Sequence, residues 1–181
     1  MQMFYVDEAG KCLGCFDGPE EHHPYGNATP VAAAPVDAGA QLWQGGAWVW
    51  PIAPVRVAKI AAIKQRLAQA LRLVPCPLAG NRPIQLDMES QGNIGDATQQ
   101  ASVVKASAGL IAWPQRMIDK GWRMADNTWY PLPTPDSMIS LGLWAAHAVE
   151  LRRDVAWSHI DAVRALNEPA AVEAYDIETG W

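Results

Sequence analysis

The residues best suited to chemistry stand near the start of this 181-residue chain, in "GKCLGCFDGPEEHH", residues 10–23. Cys12 and Cys15, followed by His22 and His23, carry the donor atoms of a tetrahedral zinc site. Cys-x-x-Cys is also the spacing of a thiol redox pair. Strong zinc frameworks repeat the cysteine pair or finish on spaced histidines, and nothing repeats here. Neighbouring side chains of extended chain point to opposite faces, so His22 and His23 are badly placed to hold one ion, and Pro24 keeps His23 extended. A thioredoxin-like site needs a strand running into a helix, whereas "FDGPEEHHP" is a poor helix start. These residues therefore read as two strand cysteines beside a turn, with no metal and no cofactor expected. Alternation sends the two thiols to opposite faces unless Gly14 bends the strand.

Other reactive patterns are few. The chain has no Gly-rich phosphate loop, Gly-x-Ser-x-Gly elbow or His-Glu-x-x-His helix. His147 and His159 fall on very different azimuths of one long helix and read as surface or satisfied interior residues. Asp87 and Glu89 in "QLDMES" read as a helix cap and a partner of the helix dipole. No catalytic residue is expected. An enzyme that hydrolyses glycan would need two carboxylic acids flanking the scissile bond, and no such pair is evident.

A formal charge of −5 with scattered Lys and Arg argues against nucleic acid as a partner, because phosphate binding needs clustered cations. No apolar run approaches the roughly 18 residues of a membrane span, and "MQMFYVDEAGK" lacks the marks of a secretory signal. An odd count of three cysteines suits a reducing compartment, so a cytosolic protein without a membrane partner is expected. Nine tryptophans against four tyrosines and two phenylalanines mean either a dense core or surfaces built for contact.

The elements around these residues predict an α+β fold. Residues 1–53 read as a small β-rich leader module. In it "MFYV" and "KCLGCF" form a hairpin about "DEAG", and Gly18 to Ala40 is an irregular connector punctuated by Pro19, Pro24, Pro30 and Pro35. "LWQGGAWVWP" forms a second hairpin turning at Gly45 and Gly46, with Trp48 and Trp50 on one face and Val49 on the other. Those rings either pin a small core or form an exposed contact patch.

Residues 54–181 read as a helical domain with short β-hairpins. Ile60, Ile63, Leu67 and Leu71 stripe a helix over residues 54–73. "VPCPLAGNRPIQL" turns between short extended pieces, and Asp87 caps a helix striped by Ile94, Ala97, Ala101 and Val104. "GWRMADNTWYPL" makes a hairpin at Asp126 and Asn127. Thr134, Pro135 and Asp136 then open one long C-terminal helix reaching about Leu166. Its stripe runs through Leu141, Trp144, Ala148, Leu151 and Val155, then shifts to Ile160, Val163 and Leu166. Asn167 and Pro169 end it before a short final helix.

Together these strings resemble a domain family, without a settled activity, found in tailed-bacteriophage tail-fibre gene clusters. The resemblance covers about Ala58 to Trp181. It rests on the basic helix "KIAAIKQRLAQAL", on Asp87, Ser90, Asn93 and Ile94, on Trp122, Arg123, Ala125, Asp126 and Asn127, on a central His147, and on the terminal Gly180 and Trp181. The leader, with Trp43, Gly45, Gly46 and Trp48, is similar to the β leaders of tail-fibre assembly proteins. The resemblance implies a tail protein that binds the trimeric tail fibre and helps it fold, assemble or stay capped. Its expected place is the host cytoplasm during assembly or the virion tail, and the alternative is a permanent subunit of the fibre or baseplate. The candidate protein-binding residues are Trp43, Trp48, Trp50, Trp122, Trp129, Tyr130 and Trp181.

Overall fold

In the computed structural model, which describes residues 2–181, the first predicted hairpin forms from β1 (Gln2–Val6) and β2 (Cys12–Asp17). Asp7 drives the turn, its Oδ1 accepting from the backbone N–H groups of Ala9 and Lys11, each at 2.9 Å. The register shifts between Tyr5 and Val6, which face Gly14 and Cys12, so Leu13 is an inserted residue. The shift falls beside Gly14, the residue at which the alternation of the thiols was expected to break if the strand bent there. Cys15 pairs with Phe4 and Cys12 with Val6, and Phe4 and Val6 share a face of β1, so the register assigns both cysteines to one face.

A third strand, β3 (Thr29–Val31), pairs with the other edge of β1 inside the stretch read as irregular. Pro30 hid it from sequence reasoning, and an edge strand is where a sheet accepts proline. Tyr5 is fully buried, with the His23 ring stacked on it at 4.2 Å and Tyr25 at 5.2 Å. Burial, reinforced by Glu20 and Tyr25, pushes the Tyr5 phenol up. Next comes the hairpin of β4 (Leu42–Gln44) and β5 (Ala47–Val49). Gly45 and Gly46 both adopt positive φ, 59° and 88°, as a two-residue turn with this twist requires. Trp50 lies beyond β5, so the strand face expected to carry Trp48 and Trp50 ends before it.

The other elements are the helices α1 (Ile52–Ala70), α2 (Met88–Ala106), α3 (Gln115–Asp119), α4 (Pro135–Ala165) and α5 (Pro169–Ala174). Hairpins β6 (Val74–Cys76) with β7 (Arg82–Ile84) and β8 (Trp122–Arg123) with β9 (Trp129–Tyr130) separate them. The fold is α+β, as expected. The α3 turn had no counterpart in the sequence reading. Two compact units form, one taking the chain up to Lys59 plus Val163–Tyr175, the other Ile60–Ala162 plus Asp176–Trp181. The divisions between the units fall within α1 and α4, since periodicity marks where a helix runs and not which core its ends join.

In the first unit, cations satisfy helix-end carbonyls. Arg56 donates to the Leu166 carbonyl, and Lys59 Nζ donates to those of Glu173 and Tyr175 at 2.7 and 3.1 Å. In the second unit one core gathers Leu71 of α1's end, Cys76 and Ile84 of the β6–β7 hairpin, Ile94 and Ala101 of α2, and Met138, Leu141 and Val149 of α4. The expected α4 stripe is corrected at Leu151, which is half exposed. The buried line runs instead through Met138, Leu141, Ala145, Ala148 and Val149, and Arg152 turns its guanidinium back to the carbonyls of Ala70 and Ala148.

Candidate functional site

The second unit contains a cleft of about 530 Å³ whose walls come from two stretches far apart in sequence. One wall is a single face of α2, where Ser90, Asn93, Ala97 and Gln100 recur at spacings of three and four. Asp87 sets the start of that helix, its Oδ1 accepting from the Ser90 N–H at 2.8 Å. The opposite wall is the α3 turn, with Trp113, Arg116 and Met117, and the β8 hairpin, with Trp122, Arg123 and Asn127. Thus Ser90 and Asn93 of the first sequence motif face Trp122, Arg123, Ala125 and Asn127 of the second.

Several bonds hold the second wall. The Ala125 N–H donates to the Pro83 carbonyl at 2.9 Å, joining the β8–β9 hairpin to β7. Arg82 stitches the same two hairpins, donating to Ala79 O, Thr128 Oγ1 and Trp129 O while its guanidinium lies 5.7 Å from the Tyr130 ring centre. Trp113 Nε1 donates to Leu132 O and the Leu132 N–H to Met117 O, which fastens the α3 turn. Gly121 must be glycine: its φ is +73°, and a Cβ there would lie 1.9 Å from the Tyr130 carbonyl oxygen. Asp126 orders the tip, accepting from the Thr128 hydroxyl and N–H, and these bonds hold its carboxyl below the ordinary aspartate range.

The cleft is polar and cationic. Among its lining residues are the guanidinium groups of Arg116 and Arg123 and no Asp or Glu. Arg123 Nη2 donates to Asn127 Oδ1 at 2.8 Å, and Arg116 lies over the Trp129 ring at 5.5 Å, with Lys120 over the same ring at 5.9 Å. The arrangement can bind and orient an anionic or amide-bearing ligand.

The sequence-predicted contact residues separate into three groups. Trp43 and Trp48 pack edge to face at 5.4 Å, and Trp48 Nε1 donates to Ala33 O, so they pin their own hairpin. Trp122 and Tyr130 are half-buried against the second unit's core, and Trp122 also lines the cleft. Trp181 anchors the tail: its ring stacks on His159 at 5.7 Å, Arg66 lies 5.3 Å over it, and its Nε1 donates to Ile177 O. Only Trp50, 47 % exposed, and Trp129, 37 % exposed, leave much ring surface open. Sequence reasoning missed Arg116, Gln100 and Trp113; the three-and-four spacing of Ser90, Asn93, Ala97 and Gln100 was the one available signal for the α2 wall. It also missed Trp157, which is 55 % exposed.

The cysteine and histidine candidates do not converge. Cys12 is half-buried, Cys15 is exposed, and the His23 ring is taken up by Tyr5 while its Nδ1 accepts from the Tyr25 N–H. Among the described residues no group of three or more His, Cys, Asp or Glu could hold a metal ion. His147 is exposed, and His159 is buried with Nε2 3.0 Å from Thr179 O. Among the described residues no helix is long and apolar enough to cross a membrane.

The family described as Domain of unknown function (DUF4376) matches residues 54–179, and the chain belongs to it. Compared with the curated proteins and with the solved structures, the chain matches none.

Proposed function

We propose that the protein binds the trimeric tail fibre of a bacteriophage and assists its folding and assembly. One observation carries this reading beyond the sequence resemblance. Residues from two of the motif segments on which the resemblance rests, Ser90 with Asn93 and Trp122 with Arg123, Ala125 and Asn127, line one cleft although they are distant in the chain. Residues that carry a family pattern and also line one open, polar cleft suit recognition better than core packing. The physical task also fits. Long β-rich fibre chains expose strand edges and apolar surface before they trimerise, and a partner that covers them prevents aggregation.

Co-expression with the tail-fibre chain tests the reading. The expected result is a soluble complex of the two proteins and more trimeric fibre than the fibre gene yields alone. Fibre that trimerises equally well by itself, with no copurifying partner, overturns it. Mass spectrometry of purified particles then separates a transient helper, absent from them, from a subunit present in stoichiometric amount.

A further inference from the structure

We infer that the cleft takes an acidic, extended polypeptide segment, with carboxylates seated on Arg116 and Arg123. Charge is the first argument. The chain as a whole carries −5, yet the cleft's lining holds two guanidinium groups and no carboxylate, so its positive character is local. Among the described residues neither arginine has an ion-pair partner within the chain, and each is oriented by a neutral group: Asn127 holds Arg123, and the Trp129 ring lies under Arg116. Planar guanidinium forks held in this way match carboxylates and retain donors for them.

The rest of the lining selects among anions. Asn93, Gln100 and Gln85 present paired amide donors and acceptors, the groups that satisfy a peptide backbone. Met117, Met124 and Trp113 add apolar wall for the stems of side chains. A nucleic-acid strand would bring a phosphate at every nucleotide, and two arginines on a chain of net charge −5 are too few to neutralise it. The cleft's volume, about 530 Å³, holds a short segment rather than a folded element. The inference deepens the fibre reading by naming the part of the partner that the cleft would grip, and it rests on that reading only for the partner's identity.

The test uses the full chain and a fluorescein-labelled, end-capped peptide alternating Glu and Ser, with its Gln-for-Glu counterpart as control. The Glu peptide should bind, and binding should weaken about tenfold in Arg116→Gln and again in Arg123→Gln, the size of one charge-assisted contact each. Arg72→Gln, an exposed arginine outside the cleft, should bind as wild type does. Asn93→Asp places a carboxylate on the exposed α2 wall without disturbing the core and should abolish binding. Equal binding of the Gln peptide, equal loss in Arg72→Gln, unimpaired binding by Asn93→Asp, or displacement of the Glu peptide by a single-stranded oligonucleotide at lower concentration overturns the inference. Fibre capture separates the two proposals. Fibre held equally by wild type and the double arginine variant overturns the cleft inference and leaves the fibre reading standing. A Glu peptide held in the cleft while no fibre copurifies does the reverse.

Discussion

Gly142 lies on the buried face of α4, against Thr98 of α2, and its replacement by alanine sets two opposed effects of known size against each other. Alanine in a helix interior is favoured over glycine by about 1 kcal/mol. A Cβ at Gly142, however, would lie 2.1 Å from Thr98 Oγ1, 2.9 Å from its Cγ2 and 3.0 Å from its Cβ. Thr98 cannot swing aside freely, because its hydroxyl donates to the Ile94 carbonyl at 2.7 Å and a β-branched side chain on a helix is stiff at χ1. Its Cβ cannot move at all without the backbone. The two helices must part, and overpacking of this kind costs about 1–3 kcal/mol.

The contact wins, so Gly142→Ala should destabilise the protein by up to about 2 kcal/mol on balance. Gly92 and Gly95 of α2 have no heavy atom within 4 Å of a built Cβ, and there the same substitution should stabilise by up to about 1 kcal/mol. Urea unfolding of the three single variants reads the sign directly, as a lower midpoint for Gly142→Ala and higher ones for the others. Thr98→Ala in the Gly142→Ala background removes the two nearest atoms and should restore most of the loss, a coupling of about 1 kcal/mol or more. Gly142→Ala with a midpoint as high as that of Gly92→Ala would refute the close approach of α2 and α4.

Three further outcomes follow from the cysteines and from Asp126. Under native conditions Ellman's reagent should modify Cys15 quickly, Cys12 more slowly and Cys76 only on unfolding, since Cys76 is fully buried and burial pushes its thiol up; a rapidly reacting Cys76 would contradict its place in the core. Cys12→Ser with Cys15→Ser should cost no more than about 1 kcal/mol, because neither side chain is fully buried, and unfolding of the variant together with loss of bound zinc would restore the metal reading. The folded Asp126 carboxyl is held low, first by the Thr128 hydroxyl and then by the Thr128 N–H, so its contribution to the turn is complete above the unfolded value of about 3.9 and fades as pH falls through the lower folded value. The Thr128 amide shift, followed by NMR, should therefore titrate with a midpoint below about 3.9; a midpoint at or above it removes the hydrogen-bonded turn.

Local signals in the sequence located most elements because each rests on chemistry confined to a few residues. Asp87 caps α2, Gly45 and Gly46 turn the second hairpin, and Thr134 before Pro135 opens α4, where Thr134 Oγ1 accepts from the Ser137 N–H. The misses arise where a distant partner decides the outcome. Leu151 fits an α4 stripe by spacing but faces solvent, because the β6–β7 hairpin and α2 meet the helix along Leu141, Ala145, Ala148 and Val149. Nothing around Thr29–Val31 announces a strand, since its partner lies at Phe4–Val6 and its own proline argues against it. The intrachain role of several aromatic residues was hidden for the same reason. Trp43, Trp48 and Trp181 look available in the sequence, and only three-dimensional neighbours show that each already packs within the chain.

The cleft follows the same logic. Neither of its walls is a site alone: the polar face of α2 would be an ordinary solvated helix side, and the β8 hairpin is only two residues per strand, too short to be stable unaided. The β8 hairpin is held to its neighbour by Arg82, a residue in no motif, whose guanidinium bonds across both hairpins and lies over Tyr130. The Pro83 carbonyl beside it accepts from Ala125, one residue from the cleft-lining Met124. Arg123 can face Asn93 only while that stitch holds the β8 hairpin against β7. On the proposed reading the recognition chemistry would reside in Arg116, Arg123 and the α2 amides, and its geometry would depend on Arg82, which lies outside the cleft's lining.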